Sequence, residues 1–439
     1  MDKTTHTPWS WIPSLYFAQG MPYVVVMTVS VIMFKRLGMS NTDIALYTSG
    51  LNLPWVIKPL WSPIVDMLKT KRWWIVIMQL VIGAGLGGIA LTLEGPLAFR
   101  YCLAFMWILA FSSATHDIAA DGFYMLALNE QKQAYFVGIR NTFYRLAVIA
   151  GQGVIVMIAG ALEEYYALSQ PESVAIPRAW SMAFYVLTVL FALLFIYHHL
   201  ILPRPVKDTN HNSASPATPA MVLHEFIQTF ISFFQKKHIL IALAFILLYR
   251  FAESQLTKIA SPFLLDQPSL GGLGLSTSEV GFIYGTIGMI ALTVGGIIGG
   301  IVIARQGLKN WLWKMTAAMN VPNLVYLYLS IAKPSDLFLI SSCVAIEQLG
   351  YGFGFTSLTY FMMLFSNGKH QTAYYAICTG FMALGMMLPG MISGKIEELI
   401  GYQNFFIWIM ISTIPSFIAT KYIKRINFGT NLGQKNGKE

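Results

Sequence analysis

Two aspartates four residues apart, Asp117 and Asp121, stand in the stretch "SSATHDIAADGFY" at 112–124, inside an apolar run that otherwise suits lipid. A spacing of four puts both carboxylates on one face of a helix. Two ionised carboxylates that close in a low-dielectric medium repel, and a proton taken up by either relieves the repulsion. That is the chemistry a proton-coupled carrier needs. His116 lies about 100° around the helix from Asp117, a position that suits hydrogen-bonded packing more than proton relay. Other charges also interrupt apolar runs: Lys58, Arg145, Arg250, Glu253, Lys258 and Glu347. A charge at the bilayer centre costs about 2.5–3.5 kcal/mol or more on insertion scales, so each must face a bundle interior or a wet cavity. Glu253 and Glu347 join Asp117, Asp121 and His116 as proton-coupling candidates. The alternative use of such acids is a permanent ion pair that locks helices together, with Lys58, Arg145 or Arg250 serving Asp117, Asp121 or Glu347.

The elements that position these residues follow from hydropathy. The chain has 439 residues, 56% hydrophobic and 11% charged, and apolar runs of about twenty residues, long enough to cross roughly 30 Å of hydrocarbon, recur from end to end. They predict an all-α membrane protein with twelve transmembrane helices near 11–34, 43–65, 73–92, 97–127, 134–160, 179–202, 237–265, 277–304, 311–331, 335–365, 371–396 and 402–424. The polar stretch "PRPVKDTNHNSASPATPA" at 203–220 reads as a flexible linker. It divides the chain into a bundle over 1–202, a cytoplasmic linker over 203–236, a bundle over 237–424 and a tail over 425–439. The halves echo each other, since "GMSNTDIALY" at 38–47 lines up with "GLSTSEVGFIY" at 274–284, each the mark of a capped helix start. Two parallel six-helix bundles with substrate at the midplane are the architecture of the major facilitator superfamily.

Orientation comes from Lys and Arg, which stay in cytoplasmic loops. With the amino terminus inside, the inner segments gather Lys69, Lys71, Arg72, Arg204, Lys236, Lys237, Arg305, Lys309, Lys421, Lys424 and Arg425 among others, against Lys35, Arg36, Arg178, Lys333 and Lys395 outside. Both termini are therefore expected in the cytoplasm. The net charge of +9 is topological on this reading, and no nucleic-acid partner is expected. "MDKTTHTPWSW" lacks the pattern of a removable signal peptide. Cys102, Cys343 and Cys378 have no paired or metal-like spacing, so neither a disulfide nor a metal site is implied. An intramembrane enzyme would need a nucleophile or metal constellation, and neither H-E-x-x-H nor G-x-S-x-G occurs. A sensor would be expected to bring a soluble signalling domain. Asp66 ends the second span before Lys69 and Arg72, where facilitator-type carriers place an acid and bases that latch the cytoplasmic gate; the Gly-rich part of that loop is missing.

"KPLWSPIVD" at 58–66, "AFSSATHDIAADGF" at 110–123, "LYRFAE" at 248–253 and "IEQLGYGFGFTSLTYFMML" at 346–364 resemble the corresponding stretches of AmpG-like muropeptide permeases. These form part of the peptide–acetyl-coenzyme-A–drug transporter branch of the major facilitator superfamily. The resemblance runs through nearly all twelve spans, and its most specific element is Asp-Ile-x-x-Asp in the fourth. Departures are His116 where Gln is common, Gly122 after the second aspartate, and Arg140 and Lys258 as additional bases. The resemblance implies proton-coupled import of species such as N-acetylglucosaminyl-1,6-anhydro-N-acetylmuramic acid into the bacterial cytoplasm, with the proton gradient as driving force and no cofactor. The expected partners are that saccharide, protons and membrane lipid, and the expected state is a monomer in the inner membrane. Lys58, Arg145, Arg250 and Lys258 would then receive the cargo's carboxylate, the arginines through their planar fork. Tyr16, Tyr144, Tyr249, Trp55 and Tyr360 would lend faces and hydroxyls to the sugar rings. A carrier of acetyl-coenzyme A, a peptide-like drug or another acidic oligosaccharide is the alternative within the same class.

Overall fold

In hydrocarbon every backbone N–H and C=O must be bonded within the chain, which leaves helices for a chain of this composition. The computed structural model is accordingly helical, with no strand among the described residues. It describes residues 7–205, 208, 219–367 and 371–425. Most of the polar linker, the tail beyond Arg425 and the Asp66 side chain lie outside the described residues.

Nine stretches of the described residues are long and apolar enough to cross a membrane. The other expected crossings take a broken form. The second is split into Asn41–Gly50 and Leu53–Leu68, because Pro54 in the first turn of the second piece has no N–H to return to Gly50. The ninth is split into Leu308–Asn320 and Leu324–Ala332 by a short 3₁₀ turn containing Pro322. The last two join across Gln371–Ile411, where Gly401 alone leaves helical geometry at φ 76°, and the twelfth resumes as Ile414–Arg425. Helix starts are set by side-chain caps: the side chains of Thr70 and Asn129 accept from the backbone N–H groups of Trp73 and Lys132 at 3.1 and 2.9 Å. Both echoing stretches begin helices in the same way. Ser40 caps the N–H of Asp43 at 3.1 Å, and Ser276 and Glu279 form a reciprocal capping box.

The chain divides into two compact units, Met1–Met39 with Ile57–His224 and Ser276–Gly285, and Ser40–Val56 with Glu225–Leu275 and Thr286–Glu439. Each consists mainly of one sequence half plus the helix start that carries the other half's echo. In the first unit, Lys71–Thr92 packs between Ala98–Ala127 and Glu172–Ile201, and Ile12–Val24 packs on Glu130–Ile149. Trp11, Leu15, Phe123 and Phe136 lie in its apolar core. In the second unit, Met289–Gln306 packs on Leu337–Phe365, and Gln371–Ile411 on both Asn41–Gly50 and Phe251–Leu265. Phe233, Phe245, Phe361 and Phe365 lie in that unit's core.

A chain of buried polar side chains fixes the back of the Ala98–Ala127 helix, which carries the two aspartates. Ser14 Oγ meets His198 Nε2 at 2.9 Å, His198 Nδ1 meets Gln79 Oε1 at 2.9 Å, and Gln79 Nε2 meets His116 Nε2 at 3.1 Å. Gln79, His116 and His198 are fully buried. Replacing Gln79 by Leu strands both imidazoles, at about 1–3 kcal/mol for each unsatisfied buried group. We expect Gln79→Leu to lower the melting temperature of the detergent-solubilised protein by several degrees. An unchanged melting temperature would show that the chain contributes nothing to packing.

Candidate functional site

The aspartate face of Ala98–Ala127 turns toward Ile12–Val24, whose Tyr16 and Gln19 are three residues apart and match the four-residue spacing of the acids. The Gln19 amide donates to Asp117 Oδ1, and the Tyr16 hydroxyl donates to Asp121 Oδ1 at 3.2 Å. Each of these two rungs ends in a cation from a different helix. Lys58 Nζ, on Leu53–Leu68, closes on Asp117 Oδ2. Arg140 Nη1, on Glu130–Ile149, closes on Asp121 Oδ1 at 3.3 Å. Arg140 also donates to the Tyr16 hydroxyl at 3.0 Å, and its guanidinium lies 5.0 Å from the ring centres of both Tyr16 and Tyr124. Those are favourable cation–π distances.

The rungs differ in openness. Asp117 is 21% exposed against 42% for Asp121, so Asp121 is the acid that solvent reaches more readily. Two polar atoms beside the rungs, Gln19 Oε1 and Arg140 Nε, are buried and lack a hydrogen-bond partner among the described residues. One is an acceptor and the other a donor.

Arg145 was expected among the partners of these acids; the arginine that reaches Asp121 is Arg140, noted in the sequence only as an additional base. The two stand five residues apart on one helix, about 140° around its axis, so they face different ways, with Arg145 half-buried. Tyr144 is likewise half-buried, and its backbone carbonyl packs against Gly20. His116 turns from the acids into the chain with Gln79. Gly122 leaves room for the Lys71 stem, since a Cβ there would lie 2.9 Å from Lys71 Cε.

The charges of the second unit form a separate group. The expected seventh span breaks at Arg250, between Ile239–Leu248 and Phe251–Leu265. The Ser416 hydroxyl donates to the freed carbonyls of Leu248 and Tyr249 at 3.0 and 2.9 Å. Arg250 grips Glu253 with Nε and Nη2 at 2.8 and 3.0 Å, and Nη2 also donates to the Tyr351 hydroxyl at 2.6 Å. Its guanidinium lies 4.8 Å from the Phe355 ring centre. Glu347 is buried and accepts from the Gln348 amide at 2.9 Å, and Lys258 is buried on the same helix as Glu253. Tyr249 is buried too, with its hydroxyl 2.7 Å from Ser357 Oγ and 3.1 Å from the Gly354 carbonyl, so that hydroxyl is engaged within the core. Trp55 and Tyr360 are half-buried.

Of the expected cytoplasmic gate, Lys69 is exposed, and Arg72 is committed elsewhere. It donates from Nε to the Leu202 carbonyl at 3.1 Å and from Nη2 to the His199 carbonyl, closing the carboxyl end of Glu172–Ile201. A cation there satisfies the last free carbonyls of the helix. Asp208 accepts the backbone N–H groups of Lys71 and Arg72 at 2.8 and 3.2 Å.

Residues 14–390 match the family model described as Major Facilitator Superfamily, and the chain belongs to that superfamily, as a membrane transporter rather than an enzyme. Within it, the chain is similar in sequence to AmpG transporters. It is 25% identical over 425 residues to the "Putative transporter AmpG 4" of Rickettsia felis, covering 94% of this chain and 96% of that one. To the "Anhydromuropeptide permease" of Escherichia coli K12 it is 23% identical over 416 residues, covering 92% of this chain and 77% of the permease. A D-xylose–proton symporter superposes with a TM-score of 0.68 at 12% identity, covering 94% of this chain and 96% of the symporter. The nucleoside transporter NupG superposes with a TM-score of 0.64 at 16% identity, covering 94% and 98%. At those identities the structural likeness shows the fold alone.

Sequence reasoning missed Gln19, Gln79, Tyr124 and His198, and noted Arg140 only as a departure. Polar side chains inside apolar runs are the signal that would have found them. Removing one partner of the first rung leaves an uncompensated charge. Lys58→Met or Asp117→Leu alone should each destabilise the detergent-solubilised protein by about 2 kcal/mol, less than for a fully buried pair because water reaches this one. The double variant should recover part of that loss. Additive losses in the thermal melt would mean the two side chains do not interact.

Proposed function

We propose that this protein imports an anionic amino-sugar or muropeptide-type saccharide, such as GlcNAc-1,6-anhydro-MurNAc, across the bacterial inner membrane by proton-coupled alternating access. It would act as a monomer with both termini cytoplasmic, using the proton gradient in place of any cofactor. The observation that carries this reading is the pair of rungs: two acids on one helix face, each neutralised by a cation from another helix and by a donor on Ile12–Val24.

Protonating either acid removes the charge that holds its cation. The released Lys58 or Arg140 then requires another anion, because an unpaired charge in the membrane interior is costly. A cargo carboxylate supplies it. Proton and cargo thus enter together, since each occupies what the other vacates. Arg140 offers a planar fork suited to a carboxylate, and the Tyr16 and Tyr124 rings beside it suit the faces of a sugar. Gln19 Oε1 and Arg140 Nε offer an acceptor and a donor to hydroxyl or acetamido groups. The muropeptide class of cargo is supported by the name of the Escherichia coli relative.

The test is uptake into proteoliposomes from a panel of amino sugars, anhydromuropeptides and coenzyme A esters, with and without an inwardly directed proton gradient, acidic outside. Gradient-driven accumulation of the anhydromuropeptide is the expected result, and uptake of none of the saccharides would overturn the cargo. Asp117→Asn mimics the permanently protonated state, so it should abolish accumulation yet retain counterflow exchange. Arg140→Lys keeps the charge but loses the fork, and should weaken saccharide binding roughly tenfold or more. Accumulation that persists in Asp117→Asn, in Asp121→Asn and in the double variant would remove the acids from coupling.

A further inference from the structure

Two spans of the second unit break beside a proline, and each break carries a buried polar side chain. The ninth breaks at Val321–Asn323, around Pro322. The twelfth breaks at Ser412 and Thr413, just before Ile414–Arg425, whose second residue is Pro415. Neither proline has an N–H to return to the preceding turn. Backbone groups freed in this way inside a membrane must be satisfied by side chains, neighbouring helices or ordered water.

Two contacts set these spans against each other in antiparallel register. Thr316 Oγ1 meets Thr420 Oγ1 at 3.0 Å, and the Tyr326 ring stacks on Phe406 with ring centres 5.6 Å apart. Asn323 lies between Thr316 and Tyr326 along the ninth span, and Ser412 lies between Phe406 and Thr420 along the twelfth. The two breaks therefore stand at about the same depth. Val321–Asn323 also packs on Gln371–Ile411, the helix that Ser412 follows.

Asn323 is 1% exposed and Ser412 is 3% exposed. Asn323 Nδ2, Asn323 Oδ1 and Ser412 Oγ have no hydrogen-bond partner among the described residues. Polar neighbours along the same spans are engaged: Asn320 Nδ2 donates to the Thr316 carbonyl at 2.8 Å, and the Thr413 hydroxyl donates to the Met410 carbonyl at 2.7 Å. Whichever way the Asn323 amide is turned, it presents one donor and one acceptor. A metal cation cannot accept from the N–H, and a halide cannot donate to the carbonyl. Water does both, and a buried water ordinarily bonds about three polar groups.

We propose that one or two ordered waters bind between Asn323 and Ser412 and make the paired breaks a hydrated hinge. Leu324–Ala332 and the 402–411 segment, joined by the Tyr326–Phe406 stack, swing about it as one piece against Leu308–Asn320 and Ile414–Arg425. Water stands in for the missing helical bonds with bonds that reorient as the backbone bends.

The tests use full-length detergent-solubilised protein and no cargo, so their outcome is independent of the uptake assay. Asn323→Leu and Ser412→Ala should each lower the melting temperature by a few degrees, and the double variant no further than the worse single, because both remove partners of the same water. A dry site predicts the opposite sign, since deleting a stranded amide in favour of an apolar side chain of similar size is stabilising. A rise or no change with Asn323→Leu would overturn the waters, and additive losses would overturn a shared site. X-ray hydroxyl-radical footprinting reads the water directly. Tyr326 and Phe406 are fully buried, so their oxidation requires a bound water nearby, and it should fall several-fold in the double variant. Ser412→Ala alone serves if Asn323→Leu fails to express, and undiminished oxidation would also overturn the waters. The hinge is read by spin labels at Lys309→Cys and Ile331→Cys, both exposed, on either side of the ninth span's break. Their distance distribution should be broad with Asn323 and Ser412 present and narrow in the double variant. An unchanged distribution beside a lost footprint would overturn the hinge.

Discussion

A charge that cannot reach water must be matched by another, and around the aspartates this requirement dictates which helix stands next to which. Asp117 and Asp121 draw Lys58 and Arg140 from two different helices and Gln19 and Tyr16 from a third. The price is that none of these helices can move alone, since shifting one unpairs a charge in low dielectric. A proton is the smallest agent able to lift that restriction. It neutralises one acid without displacing any atom heavier than itself.

The second unit makes the contrast. Arg250 and Glu253 lie three residues apart across a helix break, and Arg250 holds both carboxylate oxygens of its near neighbour. The distance within that pair is set by the local chain around the break, although Arg250 also donates to Tyr351 on another helix. The Lys58–Asp117 and Arg140–Asp121 pairs each bridge separate helices, so their distances change whenever those helices slide. An energetic link between protonation and conformation requires groups whose environment differs between states. The inter-helix rungs meet that condition, and the intra-helix pair meets it poorly.

Much of this was legible in the sequence. Apolar runs gave the crossings, Ser40 and Ser276 the capped starts, and the Asp117–Asp121 spacing the shared face. Which cation would arrive was not legible. That depends on how each helix is rotated about its axis, and the rotation is set by packing against all neighbours at once; hydropathy along one span carries nothing about it. Arg140 and Arg145 are equally plausible on paper, and about 140° of rotation separates them. Gln19 and Gln79 were overlooked because an uncharged amide barely lowers a hydropathy average, although Gln19 reaches Asp117 and Gln79 bridges two imidazoles on other helices. The break before Pro54 was open to inspection, since proline cannot donate to the preceding turn.

The back of the aspartate helix explains why a histidine can sit beside an acid without joining its chemistry. Gln79 stands between His116 and His198 and has one carbonyl and one amino group to offer, so it accepts from one imidazole and donates to the other. As placed, His198 Nδ1 donates to the amide oxygen, and His116 Nε2 accepts from the amide nitrogen. Flipping the amide exchanges the roles but leaves one of each. A doubly protonated imidazole has only donors, so both histidines cannot carry charge while this bridge stands. His116 Nδ1 finds no partner among the described residues and is shut off from solvent, which adds to the cost of charging that ring. The bridge therefore holds the helix by a neutral contact on one face, while the other face carries the two aspartates. A carrier that couples cargo to protons gains from that separation, because a further proton-holding group within reach of Asp117 would open a route for protons to cross without cargo.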